Sequence, residues 1–319
     1  MDEVVSRRAL IAGAAGTLLL GGYSMLRTQN PEERSHDLPV VTCTIGMITD
    51  VARNIGGNAF AISGLMGAGI DPHLYKPSAG DIVRLGDADL VLFNGLHLEG
   101  RLTDTLEDIN ASGGVVTNAV ADRIPEEQRL RSDADTLSWD PHVWMDVSLW
   151  DIVAGEITEA LTTMSPDDAE AISGRSEAYR RRLHELEEWI FSEFARVPKE
   201  IRVLVTAHDA FNYFGRRYEI EVMGLQGLST ATEAGAGDVQ SLSQLLAERQ
   251  IPAIFVESSI PPSTIEAVQA ATRARGWDVQ IGGELYSDAM GTAGTPEGTY
   301  IGMIRHNVST VVEALLGGS

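Results

Sequence analysis

One stretch of this chain limits its fold more than any other. From Ser165 to Val197, Ile172, Tyr179, Leu183, Leu186, Ile190 and Phe194 recur near helical spacing. Ser165 suits an N-cap, Pro166 the first helical position, and Asp167 and Asp168 the positive end of a helix. Pro198 ends the pattern. At 1.5 Å per residue such a helix runs roughly 45 Å, enough to cross a small domain. It is therefore a candidate connector between two bodies.

On both sides of it strands and helices alternate. Before it, Val40–Met47, Ala61–Leu65, Asp89–Gly95 and Val115–Val120 read as strands. Helical patterns begin near Thr49 and run from Asp146 to Met164. After it, Ile201–Thr206, Glu221–Leu225, Ile251–Glu257 and Val279–Leu285 read as strands. Ser241–Gln250, a segment from Pro262 through Arg273, and Gly298–Leu316 read as helices. The expected class is α/β: two α/β lobes, each with a mainly parallel sheet, joined by one long rigid helix. The expected divisions are an export signal and tether at 1–37, a lobe at 38–164, the helix at 165–198 and a second lobe at 199–319.

The formal net charge is −22, which argues against a nucleic-acid partner. Lysine occurs only as Lys76 and Lys199. An acidic, lysine-poor surface suits high salt, and a GC-rich genome explains it equally well. The single cysteine, Cys43, rules out an internal disulfide and reads as a small buried hydrophobe in a strand. At the N-terminus, Ser6-Arg7-Arg8 precedes an uncharged run from Ala9 to Met25. This resembles a twin-arginine export signal, with an ordinary secretory signal or a short membrane anchor at 1–25 as the alternatives. Leu20-Gly-Gly-Tyr23 has tyrosine where a lipoprotein has cysteine. Residues 27–37 are polar and read as a tether. The protein is expected outside the cytoplasmic membrane and close to it.

In open α/β sheets, ligands bind beyond the C-terminal ends of the strands. Four residues sit at such loops. His73 follows Ala61–Leu65, His142 precedes the helix starting near Asp146, His208 follows Ile201–Thr206, and Asp288 follows Val279–Leu285. His73 and His142 each end an Asp-Pro-His triplet, at 71–73 and 140–142. Proline fixes its own backbone angle and biases the residue before it, so the histidine's approach is pre-set. Asp71 and Asp140 are candidate acceptors for an imidazole N–H. His36 lies in the tether, His184 and His306 on helices, and His97 near a strand end as an outsider. Three imidazoles and a carboxylate satisfy a divalent transition metal.

The stretches GIDPHLYKPSAGD, NGLHLEG, DPHVWMD, TAHDAFNYFGRRY, LQGLSTATEAG, FVESSI and IGGELYSDAMG resemble the TroA-like metal-binding receptors of ABC transporters. The resemblance runs from Val40 to the C-terminus. It implies two α/β lobes on one long helix, and it puts the family's four ligand positions on His73, His142, His208 and Asp288. It implies zinc or manganese as cargo, with iron less favoured, an ABC permease as partner, and a monomeric, non-enzymatic receptor. The chain departs from zinc receptors that carry a His-rich loop, because residues 122–138 contain no histidine. It also lacks the lipid-anchor cysteine of many relatives.

Two rivals remain at this level. A zinc-dependent hydrolase could use the same site but needs an open coordination position and a base, for which Glu257 is the candidate. A surface adhesin has no feature of its own here. The glycines from Gly64 to Gly69 lack a phosphate-loop lysine and read as a turn.

Overall fold

The computed structural model describes residues 38–111, 113–132, 138–231 and 234–317. The export signal and tether expected at 1–37 lie outside the described residues.

The strands before the long helix are β1 (Val40–Cys43), β2 (Ala61–Gly64), β3 (Leu90–Phe93) and β4 (Val116–Ala119). They form one parallel sheet in the order β2-β1-β3-β4. Helices α1 (Gly46–Gly56), α2 (Ala79–Gly86), α3 (Thr103–Ala111) and α4 (Val147–Met164) complete this half. The long helix, α5, spans Ala169–Ala195 after a 3-10 turn at Pro166–Asp168. Beyond it come α6 (Asn212–Tyr218), α7 (Ala236–Arg249), α8 (Ser263–Ala274) and α9 (Tyr300–Leu315). They alternate with β5 (Val203–His208), β6 (Glu221–Gln226), β7 (Ala253–Glu257) and β8 (Gln280–Leu285). The strands form two parallel pairs, β5–β6 and β7–β8, with β5 packed beside β7. Every residue of β5 is buried, as a central strand covered on both faces requires. Gly224 in β6 is needed because a Cβ there would overlap the backbone of His208 and Asp209.

Helix α5 is the spine. It buries Ile172, Tyr179, Leu183, Leu186, Ile190 and Phe194, the residues whose spacing predicts it. That face packs on α1 and α4 of the first half and on α9 of the second. Arg175 donates to the carbonyls of Ile55 and Gly56 at 2.6 and 2.8 Å, closing the C-terminal end of α1. Arg180 makes a two-pronged pair with Asp151 of α4. The larger hydrophobic core is continuous from β1 through α5 to Phe211, Tyr213, Tyr300 and Val308 of the second half. A smaller core, including Val205, Leu246, Ile254 and Ile265, lies wholly within that half. The described residues from Pro39 onward form one compact unit.

Several boundaries differ from expectation for local reasons. Strand β1 ends at Cys43, not Met47, and α1 begins at Gly46, not Thr49. The Thr44 hydroxyl turns away to Glu99 at 2.7 Å. Helix α7 begins at Ala236, five residues earlier than its apolar pattern, because Asp238 accepts the Gly235 N–H at 2.8 Å and caps the first turn. The last helix begins at Tyr300 because Thr299 accepts the Gly302 N–H at 3.1 Å. Cys43 is fully buried, and burial pushes its thiol up to about 12.

Candidate metal centre

His208 is the last residue of β5, the strand buried on both faces. Asp288 follows β8 by three residues. His73 lies in the loop after β2, and His142 directly precedes a 3-10 turn leading into α4. The fold brings these four side chains together, two from each half of the chain. One donor atom from each lies within 4.8 Å of all the others. His73 Nε2 is 3.2 Å from His142 Nε2. Asp288 Oδ1 is 3.4 Å from His142 Nε2, and Asp288 Oδ2 is 3.2 Å from His208 Nε2 and 3.7 Å from His73 Nε2. Four donors bound at 2.0–2.2 Å to one tetrahedral ion would stand about 3.3–3.6 Å apart. All four residues are buried, His73 the least so at 6% exposed.

Buried polar groups almost always find a partner. Here both carboxylate oxygens of Asp288 and Nε2 of His208 have no hydrogen-bond partner in the chain. They converge on the same few cubic ångströms. Such a group of donors could hold a metal ion.

The ring nitrogens pointing away from this cluster are oriented by carboxylates. His142 Nδ1 lies 2.7 Å from Asp140 Oδ1. His208 Nδ1 lies 2.6 Å from Glu257 Oε2, an ion-pair contact without good hydrogen-bond alignment, while Glu257 Oε1 accepts the His208 backbone N–H at 2.9 Å. Asp140 thus meets its imidazole as expected. Asp71 does not: its Oδ1 accepts the backbone N–H of His73 at 2.8 Å instead. With only proline between them, each aspartate accepts the main-chain N–H of its histidine, and only Asp140 Oδ1 also reaches the ring.

Burial pushes each imidazole toward its neutral form. For His73 burial prevails over Asp288 and the pKa falls to about 3. For His142 burial is outweighed by Asp140 and Asp288, and the pKa rises to about 9. Against burial, Glu257 and Asp288 hold His208 well above the ordinary imidazole range. Against burial, the imidazoles hold Asp288 well below the usual carboxylate range. A cation taking up these donors near neutral pH would therefore compete with protons on His142 and His208.

Other residues support the loops and were not singled out from the sequence. Buried Glu99 accepts from Thr44 and from the backbone N–H groups of Asn94 and Gly95, and Asn94 donates to the Pro141 carbonyl at 3.0 Å. Tyr213 donates to the Asp140 carbonyl at 3.0 Å. The remaining described histidines stay outside. His97 is exposed, His184 lies 3.5 Å from Asp151, and His306 contacts the Glu284 carbonyl.

Over residues 41–314 the sequence matches the family described as ZnuA, zinc-uptake complex component A, periplasmic. It is 50% identical over 277 residues to the zinc-binding protein TroA of Treponema pallidum, covering 87% of this chain and 89% of that protein. It is 46% identical over 275 residues to the manganese-binding lipoprotein MntA of Bacillus subtilis, covering 86% and 89%. The solved structure of the periplasmic zinc-binding protein TroA from Treponema pallidum matches with a TM-score of 0.84 at 48% identity. That match covers 87% of this chain and 99% of that one.

Proposed function

We propose, from the premise that this chain belongs to the ZnuA family of periplasmic zinc-uptake components, that it captures a divalent transition metal outside the cytoplasmic membrane and delivers it to an ABC importer. The family consists of metal-binding transport receptors. One observation carries the reading for this chain: His73, His142, His208 and Asp288 gather buried donor atoms within 4.8 Å, some of them with no partner in the chain. We assign these four as the metal ligands. The metal is cargo, zinc or manganese. Both oxygens of Asp288 approach the histidines, which supports two-oxygen binding and hence a coordination number above four. That favours a site able to take manganese as well as zinc. The hydrolase alternative loses support because Glu257, its candidate base, is committed to His208.

We divide the chain into a lobe at 38–164, a connecting helix at 165–198 and a lobe at 199–319, each lobe giving two ligands. A core continuous across both lobes supports a small closure on metal binding, not a wide hinge. We read residues 1–37 as a twin-arginine export signal and tether, and the receptor as a monomer at an acidic, salt-tolerant surface. Elemental analysis of protein purified without an affinity metal, followed by competition between zinc and manganese, tests the reading. One equivalent of metal is expected, and its loss in His208→Ala. A metal-dependent hydrolytic activity that vanished with His208→Ala would overturn it.

A further inference from the structure

The two Asp-Pro-His triplets repeat one arrangement. Asp71 Oδ1 accepts the His73 backbone N–H at 2.8 Å, and Asp140 Oδ1 accepts that of His142 at 2.9 Å. The second oxygen in each case accepts from a side chain in the second half of the chain. Thr230 Oγ1 donates to Asp71 Oδ2 at 2.6 Å, and Asn212 Nδ2 donates to Asp140 Oδ2 at 3.3 Å. Each aspartate therefore holds its own histidine loop with one oxygen and the opposite half with the other.

We propose that Asp71 and Asp140 latch the two histidine loops to the second lobe, and that the Asp71–Thr230 latch sets the rate at which metal leaves. The proposal rests on the receptor reading, because a release rate needs a bound metal. The Asp71 side controls release for three reasons. The His142 loop has a further tie to the second half, from Tyr213 to the Asp140 carbonyl, and one within its own lobe, from Asn94 to the Pro141 carbonyl. Among the described residues, Thr230 to Asp71 is the one hydrogen bond joining 69–75 to the second half. His73 is also the least buried of the four ligands. Asp71 and Thr230 line a surface cleft of about 320 Å³ together with Leu74, Ile260 and Pro261. Thr230 lies in LQGLSTATEAG, a stretch the ligand set leaves without a role.

Thr230→Val keeps the shape and removes the hydroxyl, and Thr230→Ser keeps the hydroxyl. Each full-length variant would be loaded with one equivalent of zinc, and release into excess EDTA followed by stopped flow, with the association rate measured separately. Thr230→Val is expected to release zinc about tenfold faster, the scale of one hydrogen bond to a charged group, with little change in association. Thr230→Ser should stay within twofold of the parent. Adding Thr230→Val to Asp71→Ala should bring little further change. Release from Thr230→Val at the parent rate, or equal acceleration in Thr230→Ser, would overturn the latch and leave the receptor reading intact. A parent protein that bound no metal would overturn both.

Discussion

Glu257→Gln keeps the shape of a buried side chain and removes its charge. Glu257 is 4% exposed at the end of β7. Its two oxygens serve one residue: Oε1 accepts the His208 backbone N–H at 2.9 Å, and Oε2 lies 2.6 Å from His208 Nδ1. An amide can offer its oxygen to only one of these. The other N–H then faces an NH2 group, and a buried donor without a partner costs about 1–3 kcal/mol. When a metal takes Nε2, the ring proton must sit on Nδ1, and the carboxylate beside it makes Nε2 a stronger donor. Losing such a carboxylate lowers metal affinity about 10–100-fold, or about 1.4–2.8 kcal/mol. A second effect works the other way. Glu257 helps hold His208 protonated, so in the parent a metal must displace that proton, and the substitution relieves the competition. The deficit should therefore be largest at high pH and shrink as pH falls. Zinc affinity measured by chelator competition from pH 6 to 9, with a thermal melt to confirm folding, gives both quantities. The logarithm of affinity should rise with pH less steeply in the variant, by about one proton. A folded variant whose deficit grows as pH falls would refute the reasoning.

In the metal-free protein, His142 and His73 should take stability away on opposite sides of pH 6.5. The raised pKa of His142, about 9, contributes stability in full below the unfolded value of 6.5 and loses it as pH rises toward 9. The lowered pKa of His73, about 3, removes stability as pH falls from 6.5 toward 3, because only the unfolded chain takes up the proton there. Each limb should fall by up to about 1.4 kcal/mol per pH unit per group, read from melts in EDTA, and Asp140→Asn should flatten the alkaline one. Zinc is expected to bind more tightly than manganese, since manganese stands lowest in the Irving–Williams order. His208→Glu should weaken zinc more than manganese, and equal losses in titration would shift selectivity from ligand identity to lobe geometry. Leu183→Ala, at a fully buried position of α5, should cost about 2–5 kcal/mol in urea unfolding while leaving metal stoichiometry at one. Changing Arg7 and Arg8 to lysine should leave precursor in the cytoplasm on fractionation, and unchanged export would point to the general secretory route.

The long helix was legible because its signals are local. A proline at each end and a repeat of 3.6 residues can be read within a few turns of chain, but α5 starts at Ala169, four residues past Ser165, because Pro166–Asp168 form a 3-10 turn and Ser165 makes no side-chain cap. The parallel strands were legible as short apolar runs, and the four residues that the fold gathers, His73, His142, His208 and Asp288, as polar groups in loops or at a strand end. Local signals were missed where apolar spacing was thin. Helix α2 went unread although Ser78 and Asp81 form a reciprocal cap, and α7 began earlier than its apolar residues because Gly235 and Gly237 carry no side chain to pattern. What each aspartate and glutamate touches was decided only by the tertiary structure. Asp71 was expected at an imidazole and instead takes a main-chain N–H and the hydroxyl of Thr230, 159 residues away. Glu257 reaches His208 from a strand 49 residues on, and Asn212 reaches Asp140 across 72. Such pairings depend on how the shared core sets one lobe against the other. A hydrogen bond depends on tenths of an ångström and on direction, and no periodicity within one element carries that information about another.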